Sequence, residues 1–552
     1  MHAALKIPEV VSIICDYIAG LEYHAWRHRG LVNFALTCRS FLEPSLKALW
    51  EELPSLVPLF FSLPSDVYEI TRPEGSSGIS KRRLVKLLRV PSPNEWTRVL
   101  HHTPRVKCMD YAGADPYPYE IEPACLEALA LSFPGSVLLP NARIVYIRDS
   151  MFEASLVFTR LLIGPSLTEI GFDWSEKHSS LVTASIVSLL GARSKPTIVK
   201  FGQFGGSSNI SVAFLKILHT VISEWPQLKE LYVPCMLTTT LRRLATFPNL
   251  EKLDVSTLGT RLQCLLGELP PVDDIEHGFP ALQSLLMMNA SPESAEWALS
   301  MMSRSPVQSL TLQIDAPAPA QKWRPIFRRV SAWESQQDSP MDLYLSEYEL
   351  RTREELAESE ETLEPVTLDD LEPLFRLRNV TTLTLEIQWL IISDAMLAKI
   401  ATTWPTLESL YLRVEDVNPK LEGAHLTLAG LAVLPRMCPR LKHLGALPLD
   451  TSDVPSEPYG SLPAGGMVCP LVESFSVASS PAPQNPGSVA RFLSFIFPNL
   501  DKIRASAQNR DAWKLVQDLL PHMRQARAEG FVYGHTMALA SIPPPEGERP
   551  KE

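Results

Sequence analysis

The sequence predicts an α/β solenoid: parallel strands along one face, helices on the outer face, and a small all-α domain in front. Two observations carry the prediction. One short phrase recurs along most of the chain, and a helical apolar pattern precedes most copies. The phrase reads Trp225-Pro226-Gln227-Leu228-Lys229-Glu230-Leu231-Tyr232-Val233, then Phe247-Pro248-Asn249-Leu250-Glu251-Lys252-Leu253-Asp254-Val255. It returns at Phe279-Pro280, Trp404-Pro405, Cys438-Pro439 and Phe497-Pro498. Apolar residues stand at offsets two, five and seven from the proline, which is the Leu-x-x-Leu-x-Leu core of a leucine-rich repeat.

The residue before proline is pushed out of helical geometry, so a helix must end there. The alternation that follows suits a short strand with one buried face. A unit of helix, turn and strand cannot bury its apolar face alone, so neighbours must stack. Anchors fall at Pro104, Pro140, Pro165, Pro196, Pro226, Pro248, Pro280, Ser305, Arg378, Pro405, Pro439, Pro470 and Pro498, mostly roughly 22 to 36 residues apart. The Ser305 to Arg378 gap is far longer and predicts an insertion near 315–366. It includes a decayed strand at Asp342–Leu345 and a six-Glu acidic run over 354–364.

Composition narrows the function classes. The chain has 552 residues and a net charge of −11. That balance opposes bulk binding of nucleic acid or anionic membrane. Eight dispersed cysteines include no Cys-x-x-Cys pair, so neither zinc nor a disulfide framework is signalled. The first residues lack a signal-peptide pattern and no apolar run is long enough to span a bilayer. The expectation is a cytoplasmic or nuclear protein with no cofactor. No Gly-x-Ser-x-Gly, His-Glu-x-x-His, phosphate-binding loop or EF-hand is present, so no enzyme is predicted. The adjacent His101 and His102 read as a surface turn.

In chain order, residues 1–64 predict three amphipathic helices. Ile7, Val10, Val11, Ile14 and Ile18 share one face of the first. A polar break, Glu22 to Gly30, follows. The second carries Leu31, Phe34, Ala35, Cys38 and Phe41, and Pro44 opens the third, with Leu46, Leu49, Trp50 and Leu53 inward. Residues 65–91 predict a linker and lead-in, 92–527 the repeats with a helical cap at Asp511–Arg527, and 528–552 a tail.

The strings Ile7-Pro8-Glu9-Val10-Val11, Leu36-Thr37-Cys38-Arg39-Ser40-Phe41, Leu46 and Leu49-Trp50 resemble an F-box. The likeness is to the F-box-like proteins with leucine-rich repeats that abound in mushroom-forming fungi. Ile7 stands where Leu is usual, and Ala19–Arg29 lacks the usual link between the first two helices. The resemblance implies a substrate-recognition subunit of an SCF-type cullin-RING ubiquitin ligase. It would contact a Skp-type adaptor, and through it a cullin, by Ile7, Pro8, Val10, Val11, Ile14, Leu31, Leu36, Cys38, Leu46 and Trp50. The alternative is a free-standing repeat scaffold whose first helices only cap the array.

Binding to an unknown substrate protein would fall to the outward strand residues, at offsets four, six and eight from each anchor. These include Glu230, Tyr232, Lys252, Asp254, Gln313, Thr384, Glu386, Tyr411 and Arg413, with Tyr232, Asp254, Tyr411 and Arg413 foremost.

Overall fold

The corner before each proline sets the geometry of the repeats. Trp404, Cys438 and Phe497 end their helices with φ between −121° and −125° and ψ between 67° and 78°, outside the helical region. Each closes the last helical bond: Trp404 N–H to Ile400, Cys438 N–H to Leu434, Phe497 N–H to Leu493. Each carbonyl then accepts the N–H of Leu407, Leu441 or Leu500, and the chain turns into a strand. Phe279 departs from this with φ 57°.

The computed structural model describes residues 5, 7–20, 24–72, 83–109, 119–147, 156–174, 180–203, 212–256, 263–269, 278–333, 339–348, 364–413, 426–455, 463–478 and 480–540. The expected linker at Pro73–Ser80, Lys81-Arg82, most of the acidic run and Ile542–Glu552 lie outside these residues. The chain divides into two units, Met1–Glu268 and Leu269–Glu552, with no division at residue 64.

In the first unit a row of parallel strands runs Glu52–Leu53, Cys108–Met109, Ile144–Ile147, Glu169–Trp174, Ile198–Gln203, Glu230–Val233 and Lys252–Val255. In the second the row is Ser284–Ala290, Ser309–Ile314, Met341–Glu347, Val380–Glu386, Ser409–Arg413, His443–Gly445, Ser474–Ala478 and Lys502–Ala505. Every anchor is followed by a strand. The apolar positions of the phrase form the core: Leu228, Leu231, Leu250, Leu253, Leu407, Leu410 and Leu412 are fully buried. Each such leucine contributes up to about 1.5–3 kcal/mol on transfer from water. Trp225 and Trp404 at these corners are buried in the core, and Trp404 Nε1–H donates to the Leu377 carbonyl at 2.7 Å.

Five expectations need correction. The stretch Glu22 to Gly30, expected as a polar break, is helical from His24 on, within helix His24–Ala35. The described part of 315–366 is not an insertion into the row. Helix Ala320–Ser331 buries Trp323, Ile326, Phe327 and Val330, and strand Met341–Glu347 pairs on both sides as a full repeat. Residues 65–91 are more than a linker, because Tyr68–Thr71 pairs antiparallel with Arg83–Leu87, which pairs parallel with Tyr119–Ile121. The third N-terminal helix is Arg39–Glu51, with Pro44 inside it rather than opening it. Starting early places Phe41 on the helix, where it stacks on Phe34 at 4.5 Å. His101 and His102 end helix Trp96–His102 instead of lying in a turn.

Two details were unforeseen. Glu52–Leu53, directly after the third helix, is the first strand of its row. At the last strand, helix Arg510–Ala540 takes in the expected cap and part of the expected tail. Gln517 Oε1 on it accepts the Ile503 N–H at 2.8 Å, a bond that the sheet edge would otherwise leave open.

A buried carboxyl ties three segments of the second unit. Glu347, 4% exposed, accepts the Ala318 N–H (3.0 Å) and Trp323 Nε1–H (2.9 Å) through Oε1. Its Oε2 accepts the Gln388 N–H at 2.6 Å. Burial pushes the carboxyl up to about 7, against the pull of these three donors. In the folded chain it keeps a proton that the unfolded chain, near 4.5, has released. Its contribution to stability is therefore fullest below about pH 4.5 and declines as pH rises through about 7. Glu347→Gln removes this titration. The stability of the native chain relative to the variant should fall by up to about 3 kcal/mol between pH 5 and pH 8. Urea unfolding across that range measures it, and parallel pH profiles for the two chains would refute the assignment.

Candidate functional site

The three N-terminal helices, Pro8–Ala19, His24–Ala35 and Arg39–Glu51, enclose a small core of Val11, Cys15, Leu31, Phe41 and Ala48. This divides the ten residues expected to meet an adaptor. Val11 and Leu31 are buried and hold the helices together. Val10, Ile14, Cys38, Leu46 and Trp50 are half-buried, and Ile7, Pro8 and Leu36 are exposed. The Trp50 ring stacks on His102 at 4.2 Å, so it secures the helices to the repeats rather than standing free. Arg105 with Glu43 (2.8 Å) and Lys107 with Glu51 (2.5 Å) reinforce that junction. Cys38 is the N-cap of the third helix, and the Ser40 hydroxyl at 2.7 Å draws its thiol below the usual range.

Large apolar side chains gather at the surface here, most of them outside the motif. Ile13 (66% exposed) and Tyr17 (76%) lie one turn apart on the first helix. Val32 and Leu36 (78%) have the same spacing around the end of the second, and Leu42 is exposed on the third. The signal was available, because these positions fall off the i, i+3, i+4 face that defines the core.

On the strands, buried and outward residues alternate as predicted. In the first unit one outward row is Ile144, Glu169, Ile198, Glu230 and Lys252, and the next is Tyr146, Gly171, Lys200, Tyr232 and Asp254. Their side chains form a network. Lys200 Nζ donates to Glu169 Oε1 (2.6 Å) and the Tyr146 hydroxyl (2.8 Å), and Tyr146 donates to Glu169 (2.5 Å). Lys200 and Lys252 stand 5.5 and 5.1 Å from the centre of the Tyr232 ring, and Tyr232 donates to Glu230 at 2.9 Å. Burial and Glu169 push the Tyr146 hydroxyl up to about 12. Burial opposes the Lys200 charge, but Glu169 and Tyr146 overcome it and hold the ammonium above the usual lysine range. Burial raises the Asp254 carboxyl. Tyr146, Glu169 and Lys200 were not singled out from sequence, though they obey the same offset rule from Pro140, Pro165 and Pro196.

In the second unit the corresponding row is Leu286, Thr311, Tyr344, Thr384, Tyr411 and Gly445. Thr384, expected to face solvent, is 7% exposed because Tyr344 and Tyr411 flank it on the adjacent strands. Tyr344 donates to Glu386 at 2.9 Å; burial and that carboxylate push its hydroxyl up to about 12. Gln313 is half-buried and Arg413 is exposed.

Both units use one device: an outward tyrosine laid across a glycine on the next strand. A Cβ on Gly171 would come within 2.3 Å of the Tyr146 ring, and one on Gly445 within 2.3 Å of the Tyr411 ring. Gly171→Ala must lift Tyr146 off its bond to Glu169. It should cost about 1–3 kcal/mol, as overpacking does. In a Tyr146→Ser background most of that cost should vanish. Urea unfolding of the four chains gives the coupling, and an equal cost in both backgrounds contradicts the account.

Among the described residues no group of three His, Cys, Asp or Glu is placed to hold a metal, and no helix is long and apolar enough to cross a membrane. No protein-family profile matches the chain, and no curated protein matches it. Among solved structures it is similar to a crystal structure of the Rad7 and Elc1 complex in yeast, with a TM-score of 0.35 and 11% identity over 62% of this chain and 78% of that one.

Proposed function

We propose that this chain is a substrate-recognition subunit of an SCF-type cullin-RING ubiquitin ligase. The N-terminal helices dock a Skp-type adaptor, and the outward strand faces hold a substrate protein. The observation that carries the reading is the exposed apolar set on those helices: Ile7, Ile13, Tyr17, Val32, Leu36 and Leu42. So much uncovered apolar surface on a small helical module favours a partner that covers it. The F-box-like motif gives the partner its class. The chain does no chemistry in this role; it raises the concentration of substrate beside the ligase.

A second reading has its own observation. Glu52–Leu53 starts the parallel row, and the Trp50–His102 stack and two ion pairs bind the helices to the repeats. In this reading the helices serve as a cap, with or without an adaptor. Deleting residues 1–64 would remove that first strand as well, so point substitutions separate the readings better.

Ile7→Asp combined with Pro8→Ser, and separately Leu36→Glu, alter exposed side chains. Both variants should melt within about 2–4 °C of the native chain. Both should lose Skp-type adaptor in co-purification from the same cells. Adaptor retained by both variants, or absent from the native chain, leaves the cap reading alone.

A further inference from the structure

The two outward strand faces differ in how their charges are used. In the first unit Lys200 is bonded to Glu169, and Lys252 lies against Tyr232. The last four strands of the second unit are different. Their outward residues are Ser409, Tyr411 and Arg413, then His443 and Gly445, then Ser474 and Ser476, then Lys502 and Arg504. Every charged or titratable group in that set apart from Tyr411 is basic. Arg413, His443, Lys502 and Arg504 are all exposed, and Lys502 and Arg504 pair with no carboxylate among the described residues.

The acids around this face are otherwise engaged or stand outside it. Glu408 is held by Lys442 at 2.6 Å, Asp501 by Arg524 at 3.2 Å, and Glu386 by the Tyr344 hydroxyl. Glu473 precedes its strand, where its carbonyl accepts the N–H groups of Asp501 and Lys502. A local concentration of cations on a chain of net charge −11 runs against the overall field. The Tyr411 ring, flat across Gly445, gives the same face an aromatic floor beside small Ser474 and Ser476. Four strands at the usual separation span roughly 15 Å, about the reach of five extended residues.

We propose that the outward face of Ser409–Arg413, His443–Gly445, Ser474–Ala478 and Lys502–Ala505 docks an acidic, extended segment of a partner protein. Lys502 and Arg504 meet its carboxylates, and Tyr411 packs against its apolar or aromatic side chains. A nucleic acid strand fits less well. The surrounding chain is acidic, and the cations are too few to track a phosphate backbone. This names a substrate class for the ligase reading and rests on that reading only for the fate of the bound protein.

The test uses the full chain without adaptor and a fluorescein-labelled poly-glutamate peptide, followed by anisotropy at low and physiological salt. The native chain should bind, and more weakly as salt rises. Lys502→Glu with Arg504→Glu should weaken binding by about tenfold or more. Arg328→Glu with Lys514→Glu, an equal charge change at exposed helical positions, should stay within roughly twofold. No binding by the native chain, no loss in the first variant, or an equal loss in both variants overturns the proposal. So does tighter binding of poly-deoxythymidine at the same residues. Adaptor co-purification of the Lys502/Arg504 variant keeps the two readings apart. Adaptor retained with peptide lost supports this surface, and peptide bound by a chain that takes no adaptor leaves it standing while the ligase reading fails.

Discussion

A strand laid in parallel beside its neighbour is the constraint on which the rest depends. Each repeat contributes a strand whose backbone groups and leucine face remain unmet until the next repeat is placed against them. The pre-proline corner serves that end by stopping the helix and turning the chain into register. Ends are therefore special. At the first strand, three helices run straight into Glu52–Leu53. At the last, helix Arg510–Ala540 lies beside Lys502–Ala505, and Gln517 accepts a backbone N–H that no further strand is present to take.

Stacking that satisfies the inner face leaves the outer one free to specialise. In the first unit the outward side chains satisfy one another, with Tyr146, Glu169 and Lys200 forming a closed set. Towards the end of the second unit the outward positions carry Lys502 and Arg504, which meet no carboxylate among the described residues, and a tyrosine resting on glycine. The first unit thus has an outward face whose side chains satisfy one another, while the second carries two outward cations without a carboxylate partner among the described residues.

The N-terminal helices combine two uses of apolar side chains. Val11, Cys15, Leu31 and Phe41 face inward and make the helices a unit, while Ile13, Tyr17 and Leu36 face water. A motif groups such residues by their order along the chain. It cannot separate those that hold the module together from those that face water, and the ten expected contact residues contained both kinds. Trp50 shows the difficulty most clearly. Its place in the motif suggested a docking role, and its ring is stacked on His102.

What the sequence determined by itself was the repeat: the corner, the buried columns and the strand after each anchor. These follow from apolar spacing and proline, which act within a few residues. The Met341–Glu347 repeat was legible only as a decayed strand because it lacks the proline phrase, although Trp323, Ile326, Phe327 and Val330 stand at helical spacing in the stretch before it. Only the tertiary structure decided which outward side chains are satisfied. Lys200 and Glu169, or Tyr411 and Gly445, become neighbours through strand register, across more than thirty residues of chain. Thr384 was exposed by its local pattern and buried by the tyrosines on either side. Contacts across strands depend on the alignment of separate repeats, and no local property of one repeat encodes them.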